Sequence, residues 1–309
     1  MLNREQTKAW GNLTTKQRGM YFDLSQNAVI VDGRVYDTDG IDRTHIAQLD
    51  VRVPEHQVKW ARIRSEMSYF AEENGGYVSA VFKSCVKMME RFPSLSQSDF
   101  AVLMFIGTYV AYRTGRLEHD NGHIIDRHKL AEIVGLSERK FRDLYAALLA
   151  EEILREEGAE IYVNPSVFYR GSLDDVEFDL SAYQHARLYR GTVRELYRRY
   201  RGRELRQLAI VYAILPFLNY NTNVVCFNPQ EQDKDGLRPL YLDKLAALLG
   251  YKDVTKFKRA LNAIELNGKP VFTFTEDPHD RRKKRVVVNP RVVFAGNAEG
   301  LSAIRVLFN

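Results

Sequence analysis

Residues 100–112 (FAVLMFIGTYVAY) are apolar at nearly every position, too uniformly for a helix lying on a surface. Such a run predicts a central helix covered on most sides. Further along, Phe141, Leu144, Tyr145 and Leu148 return at helical spacing, while Arg139, Arg142 and Asp143 take the opposite side and Lys140 the flank. This predicts an amphipathic helix over about 138–151, capped by Ser137. A shorter helix is expected before it, from a capping Asp126 to Val134, with Gly135 supplying the left-handed stop. Two short segments, 153–156 and 160–164, joined across Glu157-Gly158-Ala159, predict a hairpin.

The same order recurs later in the chain. VNPSVFYRG at 163–171 returns as VNPRVVFAG at 288–296, and KLAEIVG at 129–135 as KLAALLG at 244–250. Residues 100–112 align without gaps to LAIVYAILPFLNY at 208–220, and Phe141-Arg142 matches Phe257-Lys258 with one extra residue in the second copy. That copy predicts a helix over 241–249, a stop at Gly250, and a second helix over 254–266. On the second helix Phe257, Leu261 and Ile264 face inward, Thr255, Lys258, Arg259 and Asn262 outward, with Lys256 beside them. A hairpin follows: 271–275, a loop through Arg285, then VVVNP.

A short helix, a turn with Gly and an amphipathic second helix make a helix-turn-helix, and the hairpin adds a wing. The expected fold is therefore mainly α with small β wings, of α+β class, as two tandem winged-helix domains plus an N-terminal extension. The expected divisions are 1–76 (extension, a hairpin and a helix), 77–172 (first winged helix), 173–204 (basic linker helix), 205–297 (second winged helix) and 298–309 (C-terminal tail). In the extension, 29–31 and 34–36 flank Asp32-Gly33, a type I′ hairpin signal. Trp60, Ile63, Met67 and Phe70 form a stripe opposite Lys59, Arg62 and Arg64, expected to pack on the first copy, with a docking or dimerisation element as the alternative.

Residues 164–171 and 289–296 carry the pattern N-P-x-[apolar]-[aromatic or apolar]-x-x-G after a wing. In this the chain resembles winged-helix proteins of Gram-positive phages and plasmids, including the RepL-like replication proteins, over about 77–296 counted as two copies. The resemblance implies a winged-helix fold and a mobile-element origin; the tandem arrangement departs from single-domain RepL-like proteins.

Charge sharpens the picture. Of 309 residues 45% are hydrophobic and 28% charged, as in ordinary globular proteins. The net charge of +5 is modest, but eight arginines lie between Arg187 and Arg206, opposed by Glu195 and Glu204. A helix over 188–201 would carry Tyr189, Val193, Leu196, Tyr197 and Tyr200 on one face, and Arg190, Arg194, Arg198 and Arg201 on another. Arg281, Arg282, Lys283, Lys284 and Arg285 form an unbroken run. Such local density attracts polyphosphates.

Recognition helices place their outward residues in the major groove, where Arg suits guanine and Asn suits adenine. The candidate DNA-binding residues are accordingly Arg139, Lys140 and Arg142 in the first copy. In the second they are Thr255, Lys256, Lys258, Arg259 and Asn262. The wing run Arg281 to Arg285 and the stripe Arg194, Arg198, Arg201 would hold phosphates. Glu156, Glu157 and Glu160 on the first wing would repel them.

The best enzymatic candidate is the group His119, Asp120, His123, Asp126 and His128, which are metal-ligand types. It falls in a polar loop with no counterpart in the second copy, and no nucleotide-binding loop or HExxH accompanies it. No catalysis, metal or cofactor is expected. Cys85 and Cys226 sit in apolar runs and read as core residues of a reduced, cytoplasmic protein. The polar start MLNREQTKAWGN and the lack of a long apolar run give no signal peptide and no membrane partner. The expected function is sequence-specific double-stranded DNA binding, as a transcription regulator first. The alternatives are a non-catalytic replication initiator binding origin repeats, and a protein-interaction or DNA-mimicking factor. RNA polymerase or replication proteins are further candidate partners.

Overall fold

The computed structural model describes residues 11–45, 55–172, 176, 179–202, 204–277, 280 and 283–308, with the backbone alone for 55–62. The chain divides into two units, 1–59 and 60–309.

In the first unit, helix α1 (Thr15–Asn27) opens on a capping box. The Gln17 amide donates to the Thr14 hydroxyl while the Thr14 amide donates to the Gln17 side chain, satisfying two donors the helix leaves over. Strands β1 (Val29–Val31) and β2 (Arg34–Tyr36) pair antiparallel. Asp32 and Gly33 both have positive φ, 49° and 76°, as the expected type I′ turn requires.

The second unit is mixed α+β with small antiparallel sheets. It holds α2 (Glu55–Glu73, from residue 60), β3 (Tyr77–Phe82), α3 (Met88–Arg91) and α4 (Gln97–Gly107). Then come α5 (Arg127–Val134), α6 (Glu138–Ala150), β4 (Leu154–Glu157), β5 (Glu160–Val163) and β6 (Phe168–Tyr169). The second half has β7 (Gln184–Tyr189), α7 (Arg190–Tyr200), α8 (Leu205–Ala213), α9 (Leu242–Leu248) and α10 (Val254–Asn262). It closes with β8 (Glu265–Leu266), β9 (Lys269–Pro270), β10 (Phe272–Glu276), β11 (Lys284–Val288), β12 (Val293–Phe294) and α11 (Ala298–Arg305).

Residues 100–107 of α4 are all buried, as a uniformly apolar run demands. The helix stops five residues short of the expected end. Gly107 brings the backbone so close to Phe168 that a Cβ there would lie 2.7 Å from the ring. The chain then turns back, and Val110 bridges to Leu117.

One four-stranded sheet, in the order β12-β7-β3-β6, joins the two copies of the repeat. Its register reveals a twofold relation. Phe168 and Val293 are equivalent in the repeat, and their partners are Ala80 and Leu188. Those partners lie 108 positions apart, the same offset that aligns 100–112 with 208–220. At the centre, β3 and β7 run antiparallel with Val78 opposite Leu188 and Ala80 opposite Ala186. Shifting either pair by 108 generates the other, and the pair Ser79–Arg187 maps onto itself. A pseudo-twofold axis therefore passes through Ser79–Arg187, perpendicular to the sheet. Helices α4 and α8 pack together, with Phe100 and Tyr212 rings stacked 6.0 Å apart.

One continuous apolar cluster spans both copies of the repeat, from Val78 to Val293. The expected divisions at 172/173 and 204/205 cut through it. The stretch read as a linker holds a central strand of the sheet and the core helix α7, whose Val193, Leu196, Tyr197 and Tyr200 are buried. The stretch read as a tail contains α11. Its Leu301 and Ile304 cluster with Phe70, Tyr189 and Phe294. The α2 stripe thus packs through Phe70 on the second copy and α11, where packing on the first copy was expected. Among the described residues, no helix is long and apolar enough to cross a membrane.

Candidate nucleic-acid interface

In the first copy, Asp126 caps α5, accepting from the Lys129 amide at 2.9 Å. Gly135 ends it in the left-handed region, φ 66°. Ser137 occupies the next N-cap with extended backbone, but its side chain makes no cap hydrogen bond. On α6, Phe141, Leu144, Tyr145 and Leu148 are buried, leaving Arg139, Lys140 and Arg142 exposed. Arg139 and Arg142 both stand within 4 Å of Asp143, at 3.9 and 3.7 Å. These are exposed pairs, easily exchanged for another anion.

In the second copy, Asp253 caps α10, accepting from the Thr255 and Lys256 amides. Phe257, Ala260 and Leu261 are buried; Thr255, Lys256, Lys258, Arg259 and Asn262 are exposed. The helix ends at Asn262, four residues before the expected 266. The cause is an extra hairpin, β8–β9, turning on Asn267 and Gly268 at φ 52° and 76°. The Asn-Gly dipeptide is a strong type I′ signal that the helical reading passed over.

In each copy one residue of the loop after the central helix bridges to the following two-stranded hairpin. Arg116 bridges Tyr162 beside β5, and Val224 bridges Val287 on β11. The hairpin read as the first wing is the antiparallel pair β4–β5, and its acids are engaged. Glu156 accepts from Tyr145, Glu157 pairs with Arg155, and Glu160 pairs with Arg116 at 2.7 Å. A hydrogen bond from Tyr162, then the charge of Arg116, hold the Glu160 carboxyl below its ordinary range. Arg155 and Arg116 thus offset part of the repulsion expected of this hairpin, while the neutral Tyr145 hydroxyl leaves the charge of Glu156 in place.

The second wing departs from expectation at its basic run. Lys284 and Arg285 belong to strand β11, opposite Glu276 and Thr275, and are not in the tip loop. Arg285 is buried and donates to Asp277, itself buried, at 2.8 Å. The Tyr241 hydroxyl donates to the same carboxylate oxygen at 2.9 Å, tying the wing to the start of α9. Lys284 pairs with Glu276, and Lys283 stands 3.8 Å from Asp280. Arg285 is therefore a structural cation at the open end of the β10–β11 hairpin's loop, held by Asp277 and not free for a ligand. Arg281 and Arg282 lie outside the described residues.

Helix α7 touches both helix pairs, α5–α6 and α9–α10. The Tyr197 hydroxyl donates to the Val134 carbonyl at the end of α5, and Tyr200 donates to the Ala263 carbonyl after α10. Its arginines divide into two groups. Arg190 and Arg194 both pair with Asp120 and donate to the Thr108 carbonyl. Arg194 also lies 4.0 Å from the centre of the Tyr109 ring. Arg194 thus leaves the proposed phosphate stripe, because Thr108, Tyr109 and Asp120 already enclose it. Arg198 and Arg201 are exposed. Arg201 shares a groove of about 640 Å³ with Lys140 and Gly135, a juxtaposition the sequence spacing does not reveal.

Burial pushes the Asp120 carboxyl up, but Arg194 and Arg190 outweigh it and bring it to about 2. The polar loop that offered metal-ligand types is used for these contacts: Asp120 for α7, Asp126 for the α5 cap, and His128 facing Glu132 at 3.6 Å. Among the described residues, no group of three or more His, Cys, Asp or Glu side chains is placed to hold a metal ion. Comparison with protein-family models, with curated proteins and with solved structures finds no match to this chain.

Proposed function

We propose that the chain is a sequence-specific double-stranded DNA-binding protein of phage or plasmid type, built on two tandem winged helices and acting as a non-catalytic transcription regulator. One observation supports the reading: a short helix, a turn, a second helix and a two-stranded hairpin occur in that order twice, and each second helix presents a polar, mainly basic face beside a buried apolar one. Recognition helices enter a major groove with such a face. On α6 the readers are Arg139, Lys140 and Arg142; on α10 they are Thr255, Lys256, Lys258, Arg259 and Asn262. Arg198, Arg201 and the Arg281–Arg282 segment would hold phosphates.

Selection of binding sites from random and genomic duplexes, with purified protein at physiological salt, tests this. The expected result is one enriched motif, located at promoters and bound with affinity that falls as salt rises. Clusters of repeats in one origin-like segment would instead favour a replication initiator. No enrichment and no salt dependence would refute DNA binding and leave a scaffold for protein contacts.

A further inference from the structure

A twofold axis perpendicular to the sheet keeps each face of the sheet on its own side. Applied to the whole repeat, it carries α6 onto α10 at the same height along the axis and reverses the part of their direction perpendicular to it. B-DNA has local twofold axes of its own, perpendicular to the duplex, which relate inverted half-sites and never direct repeats. The outward faces of the two helices differ, however. Aligned on Phe141 and Phe257, Arg139 answers to Thr255, Arg142 to Lys258, Asp143 to Arg259 and Ala146 to Asn262.

We infer that one chain reads two unlike half-sites in inverted orientation, as an internal counterpart of a symmetric dimer. This rests on the DNA-binding reading above. The shared core supplies the reason for one chain per site. The β3–β7 pairing and the α4–α8 packing form the symmetric interface within the molecule, so no second copy is needed to create the dyad.

Because unlike half-sites conceal their orientation, the test makes them alike. In the full chain, R139T, R142K, D143R and A146N give α6 the outward face of α10, and all four positions are exposed. Site selection on this variant is expected to return an inverted repeat of the α10 half-site. An inverted probe should be preferred at least about tenfold over a direct-repeat probe of equal spacing, since lost base contacts are costly. Binding should saturate at one chain per duplex. The reciprocal graft T255R, K258R, R259D and N262A should return an inverted repeat of the α6 half-site, and covers the case of a poorly folded first variant. A direct repeat, indifference to orientation or a single half-site would overturn the inference while leaving DNA binding intact. Absence of salt-dependent binding by the unaltered protein would overturn the DNA-binding reading itself.

Discussion

Replacing Asp120 by Asn isolates the charge that holds the first copy's loop to α7. The side chain keeps its shape, but Arg190 and Arg194, whose side chains are 6% and 16% exposed, lose their shared anion. In the folded protein the Asp120 carboxyl lies at about 2, against an ordinary value of 3.8. That difference corresponds to about 2.5 kcal/mol in favour of the charged form. Asp120 is itself 59% exposed, so solvent screening reduces the share that reaches stability to about 1–1.5 kcal/mol. For a unit of this size, the D120N variant should melt about 2–6 °C below the unaltered protein at pH 7. The sign of the pH dependence follows from the lowered folded value. The contribution is complete above the unfolded carboxyl's range near 4, and is lost as pH falls through about 2. The difference between the two proteins in urea titrations should therefore shrink by about half between pH 7 and pH 3. An equal difference at both pH values, or none at pH 7, would refute the argument that charge secures this contact.

The other predictions concern the Arg285–Asp277 pair, the sheet and the binding surfaces. D277N strands buried Arg285 and should cost about 3–5 kcal/mol in urea unfolding, whereas a loss below 1 would show that the hairpin tolerates an unpaired cation. G107A drives a methyl into the Phe168 ring and should cost about 1–3 kcal/mol by the same measurement; a neutral result would mean that Phe168 turns aside freely. K258A combined with R259A should weaken binding to the selected site at least about tenfold in gel-shift titrations and relax one half of the motif. R281A with R282A should lower the salt slope of log affinity by about 1–2 without changing the motif. An unchanged slope removes that segment from the interface.

What could be read in the sequence was local. The Asp32-Gly33 turn, the two buried stripes ending in Leu148 and Ile264, the Gly135 stop and the β4–β5 hairpin depend on neighbours within a few turns. The dyad depends on pairing between strands more than a hundred positions apart. Equivalent positions of β3 and β7 carry Val78 against Ala186 and Ser79 against Arg187, so the repeat is erased there at the level of residue types. The gapless offset of 100–112 to 208–220 held the clue, since β3 and β7 share it. The arginines of α7 misled because regular spacing suggests a solvated stripe. Arg190 and Arg194 find Asp120 at 70 and 74 positions' distance, which no periodicity encodes. Arg285 misled similarly, since a run of five cations hides a member whose anion, Asp277, sits across the hairpin.

The central pairing of β3 with β7 has a consequence for the order in which the chain can be made and folded. From Phe82 to Tyr189 the growing chain must lengthen by 107 residues before the partner strand exists. At about 5–20 residues per second that interval lasts about 5–20 s. Throughout it, Val78, Ala80 and Phe82 lack the neighbour that covers them in the finished sheet, and an open strand edge is a template for foreign pairing. The first half of the molecule thus waits on the second. Synthesis halted before residue 184 would leave a fragment that has the residues of α5 and α6 but no partner for its sheet.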